Sequence, residues 1–285
     1  MKVLLIGGSR FTGPAIVAEL LKKNYEVTVF NRGNITERHD PKVRFIKGDR
    51  NSGFNLRDHF DAVIDTCAYT KEQIKRSLGE LQFDYYLFVS TAAVYRKTHV
   101  FPLTEVNSPR GPWPVWGEYS ARKIECEEAL EHSGAAHAIV RPVYILGPHN
   151  PVDRENFIYS RLRNNTPLTL PGNGSAIIQF IFVQDIARIY ARLVEQKITG
   201  IFNCAGSEGI TLIGLVEEMA RIVGVPPQIE FNPAADGDKF DERQFPFANE
   251  NFFCDNIKLK QLGFTPSSLI TGLRQDYVGY YRDFR

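Results

Sequence analysis

Cysteine is scarce in this chain and scattered. Cys67, Cys126, Cys204 and Cys254 stand far apart, with no Cys-x-x-Cys pair. They read as reduced, mostly buried thiols of a cytosolic protein. The six histidines form no metal-ligand spacing, so no metal site is expected. Charge of one sign is also missing: 34 basic residues face 33 acidic ones, leaving +1. That balance gives no global pull toward nucleic acid or an anionic membrane. No apolar run approaches the roughly 20 residues that a membrane helix needs. The first apolar run breaks at once into Gly7-Gly8, which predicts no signal peptide and a cytoplasmic location. Internal repeats, low-complexity tracts and long charged runs are absent as well.

What is present is a chain of 285 residues, 43% hydrophobic, enough for one large α/β domain or a nucleotide-binding domain with a small second lobe. Its most informative stretch comes first. The apolar run Lys2–Ile6 leads into Gly7-Gly8-Ser9-Arg10-Phe11-Thr12-Gly13, and Pro14 to Lys23 then reads as an amphipathic helix. A buried strand, a glycine turn and a helix N-terminus make an anion site, because backbone N–H groups and the helix dipole both favour a phosphate. Arg10 stands where the usual dinucleotide fingerprint often has its middle glycine.

Strands are predicted at 25–30, 43–46, 61–65, 84–90 and 136–141, with helices at 71–81 and 115–132. This alternation implies βαβ units and a doubly wound parallel sheet, an α/β fold whose ligands sit at the carboxyl ends of the strands. After Gly147-Pro148 the pattern loosens around a helix near 154–164. Strand 178–182, helix 184–195 and strand 201–204 read as a return to the sheet. The predicted division is therefore a dinucleotide-binding domain of 1–148 plus about 176–205, with a discontinuous substrate lobe of 149–175 plus 206–285. Phe245-Pro246-Phe247 and Phe252-Phe253 read as lobe core, and 267–285 as a C-terminal amphipathic helix packing on the lobe.

Two features carry chemistry. Tyr119 and Lys123 lie four apart on the long helix, on one face and about one turn apart. A nearby ammonium stabilises tyrosinate, so such a Tyr can take a proton from an alcohol and return it. Strand 84–90 ends in Ser90-Thr91, at the strand end that faces a ligand crevice, where Thr91 could bond the reacting oxygen.

With these motifs in view, the chain resembles an extended or atypical short-chain dehydrogenase/reductase of the NAD-dependent epimerase/dehydratase family, built on a Rossmann fold. The matching pieces, in order, are GGSRFTG, Gly48-Asp49, DAVIDTCAY, VSTAAVY, YSARK, Arg141-Pro142 before Leu146-Gly147-Pro148, and FIFVQDIAR. The resemblance implies that Gly7, Ser9, Arg10, Phe11, Thr12 and Gly13 hold a pyrophosphate. It puts Asp49 and Arg50 by the adenine and Cys67 and Ala68 in the cofactor cleft. Thr91, Tyr119 and Lys123 become the catalytic set, with Lys123 also on the nicotinamide ribose. His149, Asn150, Asn156 and Arg161, with Thr91, are candidate substrate contacts. Family relatives often pair through two helices of the nucleotide domain, so a homodimer through 70–81 and 115–132 is expected.

Two departures qualify the family pattern. Asn31-Arg32 ends the second strand where NAD-users usually carry an acidic residue. Without that carboxylate a 2′-phosphate is not repelled, and Arg32, with Arg10, could pair with it, so NADP(H) is favoured over NAD(H). In addition, GGSRFTG, Asn31-Arg32-Gly33 and the FPFANENFF segment resemble bacterial relatives of the chloroplast stem-loop RNA-binding proteins. The expected activity is NAD(P)-dependent epimerisation, dehydration or reduction of a small hydroxylated or carbonyl substrate, nucleotide-sugar-like in kind. The alternatives are an RNA-binding protein, disfavoured by the balanced charge, and a non-catalytic NADP(H) sensor, disfavoured by retention of Tyr119 and Lys123.

Overall fold

The computed structural model describes residues 1–34 and 40–284. Seven strands form its central sheet: β1 Lys2–Ile6, β2 Glu26–Asn31, β3 Arg44–Lys47, β4 Ala62–Asp65, β5 Tyr86–Val89, β6 His137–Pro142 and β7 Gly200–Cys204. Their order is β7-β6-β5-β4-β1-β2-β3, and every neighbouring pair is parallel. The order reverses between β1 and β4, which places a ligand crevice at the carboxyl ends of those two strands.

Period-two alternation assigns the two faces. Val3 and Leu5 point into a core with Ile16, Val17 and Leu20 of α1 (Thr12–Lys22) and Ile186 and Ile189 of α5 (Val183–Glu195). Leu4 and Ile6 point the other way, onto Ile74 of α2 (Lys71–Glu80) and Cys126 and Leu130 of α3 (Gly117–Glu131). Because both faces are covered, β1 is an unbroken apolar run rather than an alternating one.

The expected helix from Val115 begins later. Pro114–Trp116 form a 3₁₀ turn and Gly117, at φ 50°, redirects the chain into α3. Residues 178–182 do not return to the main sheet, as their apolar pattern suggested. The strand Ile177–Phe182 pairs instead with Tyr144–Leu146, in parallel, and with Gly209–Thr211, antiparallel. A separate pair joins Leu168–Pro171 to Ile229–Asn232. The remaining helices are α4 Glu155–Arg163, α6 Leu212–Val223, α7 Ile257–Gln261 and α8 Leu269–Asp276. The C-terminal helix expected over 267–285 is shorter: α8 widens into a π turn at Tyr277–Tyr281, and Arg285 lies outside the described residues. Phe245, Phe247 and Phe252 are buried, as their apolar clustering predicted.

Candidate functional site

The glycine turn after β1 is built by close approach. At Gly7, with φ 99°, a Cβ would stand 2.4 Å from Thr66 Oγ1. At Gly13 it would stand 2.2 Å from the carbonyl oxygen of Gly8, so only glycine lets α1 begin this near the turn. Asn31, at the end of β2, fastens the turn. Its Nδ2 donates to the Gly7 carbonyl at 2.9 Å and to Ser9 Oγ at 2.6 Å, and its Oδ1 accepts from Gly33 N at 2.8 Å. The amide thus has a structural task that its sequence position does not reveal.

The turn opens onto a cleft of about 1110 Å³. Ser9, Arg10, Phe11, Thr12, Asn31, Arg32, Asp49, Cys67, Thr91, Tyr119 and Lys123 all reach its wall. Gly13 lies behind the turn. Ala68 is buried and contributes its carbonyl oxygen to Lys123. Arg50 also borders the cleft, but its guanidinium is held elsewhere. It makes two 2.7 Å bonds to Asp65 and others to Ser77 Oγ and the Gln73 carbonyl. Tyr86 donates to the same carboxylate. Although burial opposes ionisation of Asp65, the Arg50 charge and these hydrogen bonds hold it below the usual carboxylate range.

Thr91, Tyr119 and Lys123 come together at the wall of this one cleft. Thr91 Oγ1 accepts from Ala93 N at 3.1 Å, capping a short 3₁₀ turn after β5. Lys123 is buried, and its Nζ donates to the carbonyls of Ala68 at 2.8 Å and Val89 at 2.9 Å. It also lies 4.9 Å from the Tyr69 ring centre and 6.0 Å from that of Tyr119. Burial lowers its pKa to about 8. Tyr119, 40% exposed along the cleft, is pushed up to about 12, chiefly by desolvation and then by Tyr69, against a lowering hydrogen bond from Thr91. The simple expectation of a phenol depressed by its helical neighbour is therefore not met. The ammonium is engaged by two carbonyls, and the desolvation of the phenol outweighs its distant charge.

A second carboxylate holds α3 in place. Glu127, one turn beyond Lys123, is buried, accepts from Ser90 Oγ at 2.6 Å and pairs with Arg141 and Arg110. That network ties the helix carrying Tyr119 to the strand end carrying Thr91.

Of the predicted substrate contacts, Thr91 and Asn150 reach the cleft. The His149 ring packs tilted against that of Tyr280, 4.6 Å centre to centre, and His149 with Asn156 borders a separate cavity of about 50 Å³. Arg161 lies over the Phe157 ring and donates to that residue's carbonyl at 3.1 Å. Trp116, Tyr144, Arg154, Tyr190 and Glu242, which are not among the expected site residues, also line the cleft, and so does Phe252, expected only as lobe core. Trp116, three residues before Tyr119, offered a local signal, whereas Arg154, one arginine in an irregular loop, offered none.

The fold and this cleft are those of a Rossmann-like α/β protein. The family model for the NAD dependent epimerase/dehydratase family matches residues 3–80 and 70–205, and the chain belongs to that family. It is 30% identical over 306 aligned positions to the chloroplast stem-loop binding protein of 41 kDa b of Arabidopsis thaliana, covering 97% of this chain and 78% of that protein. It is 25% identical to a UDP-glucose 4-epimerase of Lactobacillus helveticus over 84% of this chain and 86% of the relative. In fold it matches the Thermus thermophilus UDP-glucose 4-epimerase complex with NAD at TM-score 0.79 and 20% identity, over 100% of both chains. It also matches the UDP-glucuronic acid 4-epimerase of Bacillus cereus in complex with NAD at TM-score 0.80 and 18% identity, over 99% and 97% of the two chains.

Proposed function

We propose that the chain is an NAD(P)-dependent enzyme that epimerises, dehydrates or reduces a nucleotide-sugar-like substrate. The observation that carries this is convergence: Thr91, Tyr119 and Lys123 share one cleft with the glycine turn. The residues present fit a dinucleotide. The turn leaves no room for a Cβ at Gly7 or Gly13, and it meets the start of α1, where backbone donors favour a pyrophosphate. Ser9, Phe11 and Thr12 would hold the phosphates, with Asp49 and Cys67 along the cleft. When bound, the nicotinamide supplies hydride acceptance and return.

The protein's own part is proton handling and orientation. At neutral pH the Tyr119 phenol, raised to about 12, rests protonated and can give its proton to a developing alkoxide. In the reverse direction its oxygen takes the proton of the substrate hydroxyl. Thr91 lies at the same wall, suited to orient the reacting oxygen. Lys123 keeps a positive charge behind the phenol.

NADP(H) is the proposed preference. Arg10 and Arg32 are exposed on the cleft wall and neither has an ion pair among the described residues. Asn31 leaves the end of β2 without a carboxylate to repel a 2′-phosphate. A division into dinucleotide and substrate lobes near 148, 176 and 205, and a homodimer through α2 and α3, complete the proposal. Sedimentation at micromolar concentration tests the dimer.

The test of function is incubation of the cofactor-loaded protein with UDP-glucose and UDP-galactose, following the sugar by NMR. Conversion that Tyr119→Phe abolishes supports the proposal; conversion retained by Tyr119→Phe removes the mechanism. A second possibility, RNA binding, is favoured by the name of the Arabidopsis relative. Near-neutral charge argues against it, and a salt-sensitive gel shift with structured RNA would revive it.

A further inference from the structure

The same cleft wall holds a cation, Arg154, that makes no ion pair among the described residues. Arg154 precedes α4, and its guanidinium carbon lies 5.0 Å from the Tyr144 ring centre and 5.9 Å from that of Phe247. No salt bridge or side-chain hydrogen bond engages it among the described residues, and its Nε is shielded from solvent without a partner. Its sequence neighbour Glu155 cannot serve, since that carboxylate accepts from Gly147 N and Asn150 Nδ2. Glu242 borders the same cleft and its charge reaches Arg154, but the two form no ion pair among the described residues. Beside the Tyr144 ring, 5.7 Å centre to centre, Trp116 presents a second shielded donor, Nε1, with no acceptor among the described residues. Both residues line the cleft, and Tyr119 lies close enough to feel the Arg154 charge.

Shielded donors with no acceptor are costly, and a protein retains such groups where a ligand completes them. A guanidinium stacked on an aromatic face is pre-oriented for bidentate bonding to a carboxylate or phosphate. We propose that Arg154, with Trp116 beside it, is the anion subsite of the substrate cleft, taking a carboxylate or phosphate of the substrate near the reacting centre. The proposal rests on the nucleotide-sugar function inferred above and narrows it to an anionic group at a stated residue.

The test reads binding in NADP⁺-saturated protein by tryptophan fluorescence. The probes are UDP-glucose, UDP-glucuronate, inorganic phosphate and acetate, applied to wild type, Arg154→Gln and Arg154→Lys. Loss of a charge-assisted bidentate contact predicts about ten- to a hundredfold weaker binding in Arg154→Gln, with partial recovery in Arg154→Lys. NADP⁺ affinity and melting temperature stay unchanged. Weakening of both nucleotide sugars identifies the phosphate as the anion, and weakening of UDP-glucuronate alone identifies the sugar carboxylate. If the nucleotide sugars fail to bind any form, but phosphate or acetate binding is lost in Arg154→Gln, the subsite stands and the nucleotide-sugar function falls. Equal binding of every probe to wild type and Arg154→Gln, or no binding of any probe, overturns the subsite.

Discussion

Lys123 Nζ lies 6.0 Å from the centre of the Tyr119 ring, fixed there by the carbonyl oxygens of Ala68 and Val89. The two residues share a helix face, yet the ammonium bonds the backbone of Ala68, after β4, and of Val89, at the end of β5, rather than the phenol. The charge is therefore stationed at the cleft, and the proton rests on Tyr119.

Tyr119→Phe removes the proton carrier and little volume. Turnover should fall by at least about 10²-fold, the usual contribution of general acid–base catalysis. Cofactor affinity should hold within twofold, as read by nicotinamide fluorescence; retained turnover excludes Tyr119 from proton transfer.

Lys123 carries a pH signature of its own. Its pKa in the folded protein is about 8 against 10.5 in the unfolded chain, so between those values the unfolded state binds more protons. The buried cation costs stability below about pH 8, and the cost is relieved as pH rises from 8 toward 10.5. Relative to Lys123→Met, wild type should gain up to roughly 1.4 kcal/mol per pH unit across that window. Urea unfolding at pH 7.5 and 9.5 measures the difference, and a constant gap would contradict it.

Asp65→Asn strands the buried Arg50 guanidinium. Breaking a buried pair from one side costs about 3–5 kcal/mol, and chemical denaturation should show a loss of that order. The folded carboxyl titrates below its unfolded value, so the pair's contribution is present above the unfolded carboxyl pKa of about 3.9 and is lost as pH falls further. Acid titration of wild type should show that loss, and Asp65→Asn should lack it.

Gly13→Ala drives a methyl onto the Gly8 carbonyl, which cannot move without opening the turn. Overpacking of this kind costs about 1–3 kcal/mol. A lower melting temperature together with weaker dinucleotide binding is the expected pair of results. Unchanged binding would detach the turn from the cofactor.

Arg32→Glu reverses charge on the wall where a 2′-phosphate is proposed to lie. NADPH binding should weaken by about tenfold or more, the scale of a charge-assisted hydrogen bond, and NADH binding far less. Parallel titrations decide the matter, and equal losses would defeat the NADP(H) preference.

Much of this protein is local in origin and was legible as such. Strands and helices alternate because apolar periodicity sets which face each segment can bury. GGSRFTG predicts its own turn, since close approach at Gly7 and Gly13 admits no side chain. The four-residue step from Tyr119 to Lys123 puts both on one helical face wherever that helix packs. Long-range contacts decided the rest. Arg50 meets Asp65 across 15 residues and so turns from the cleft toward the core. Asn31 is recruited by Gly7 and Ser9, 24 and 22 residues earlier, and becomes a brace. Ile177–Phe182 has an apolar pattern that suits either sheet, and only its partners at Tyr144–Leu146 and Gly209–Thr211 select the smaller one. Arg154, Trp116 and Tyr144 come from three separate segments with no common spacing. Their shared wall exists because packing brings distant chain together, and pattern along a chain carries no record of which distant residue will be the neighbour.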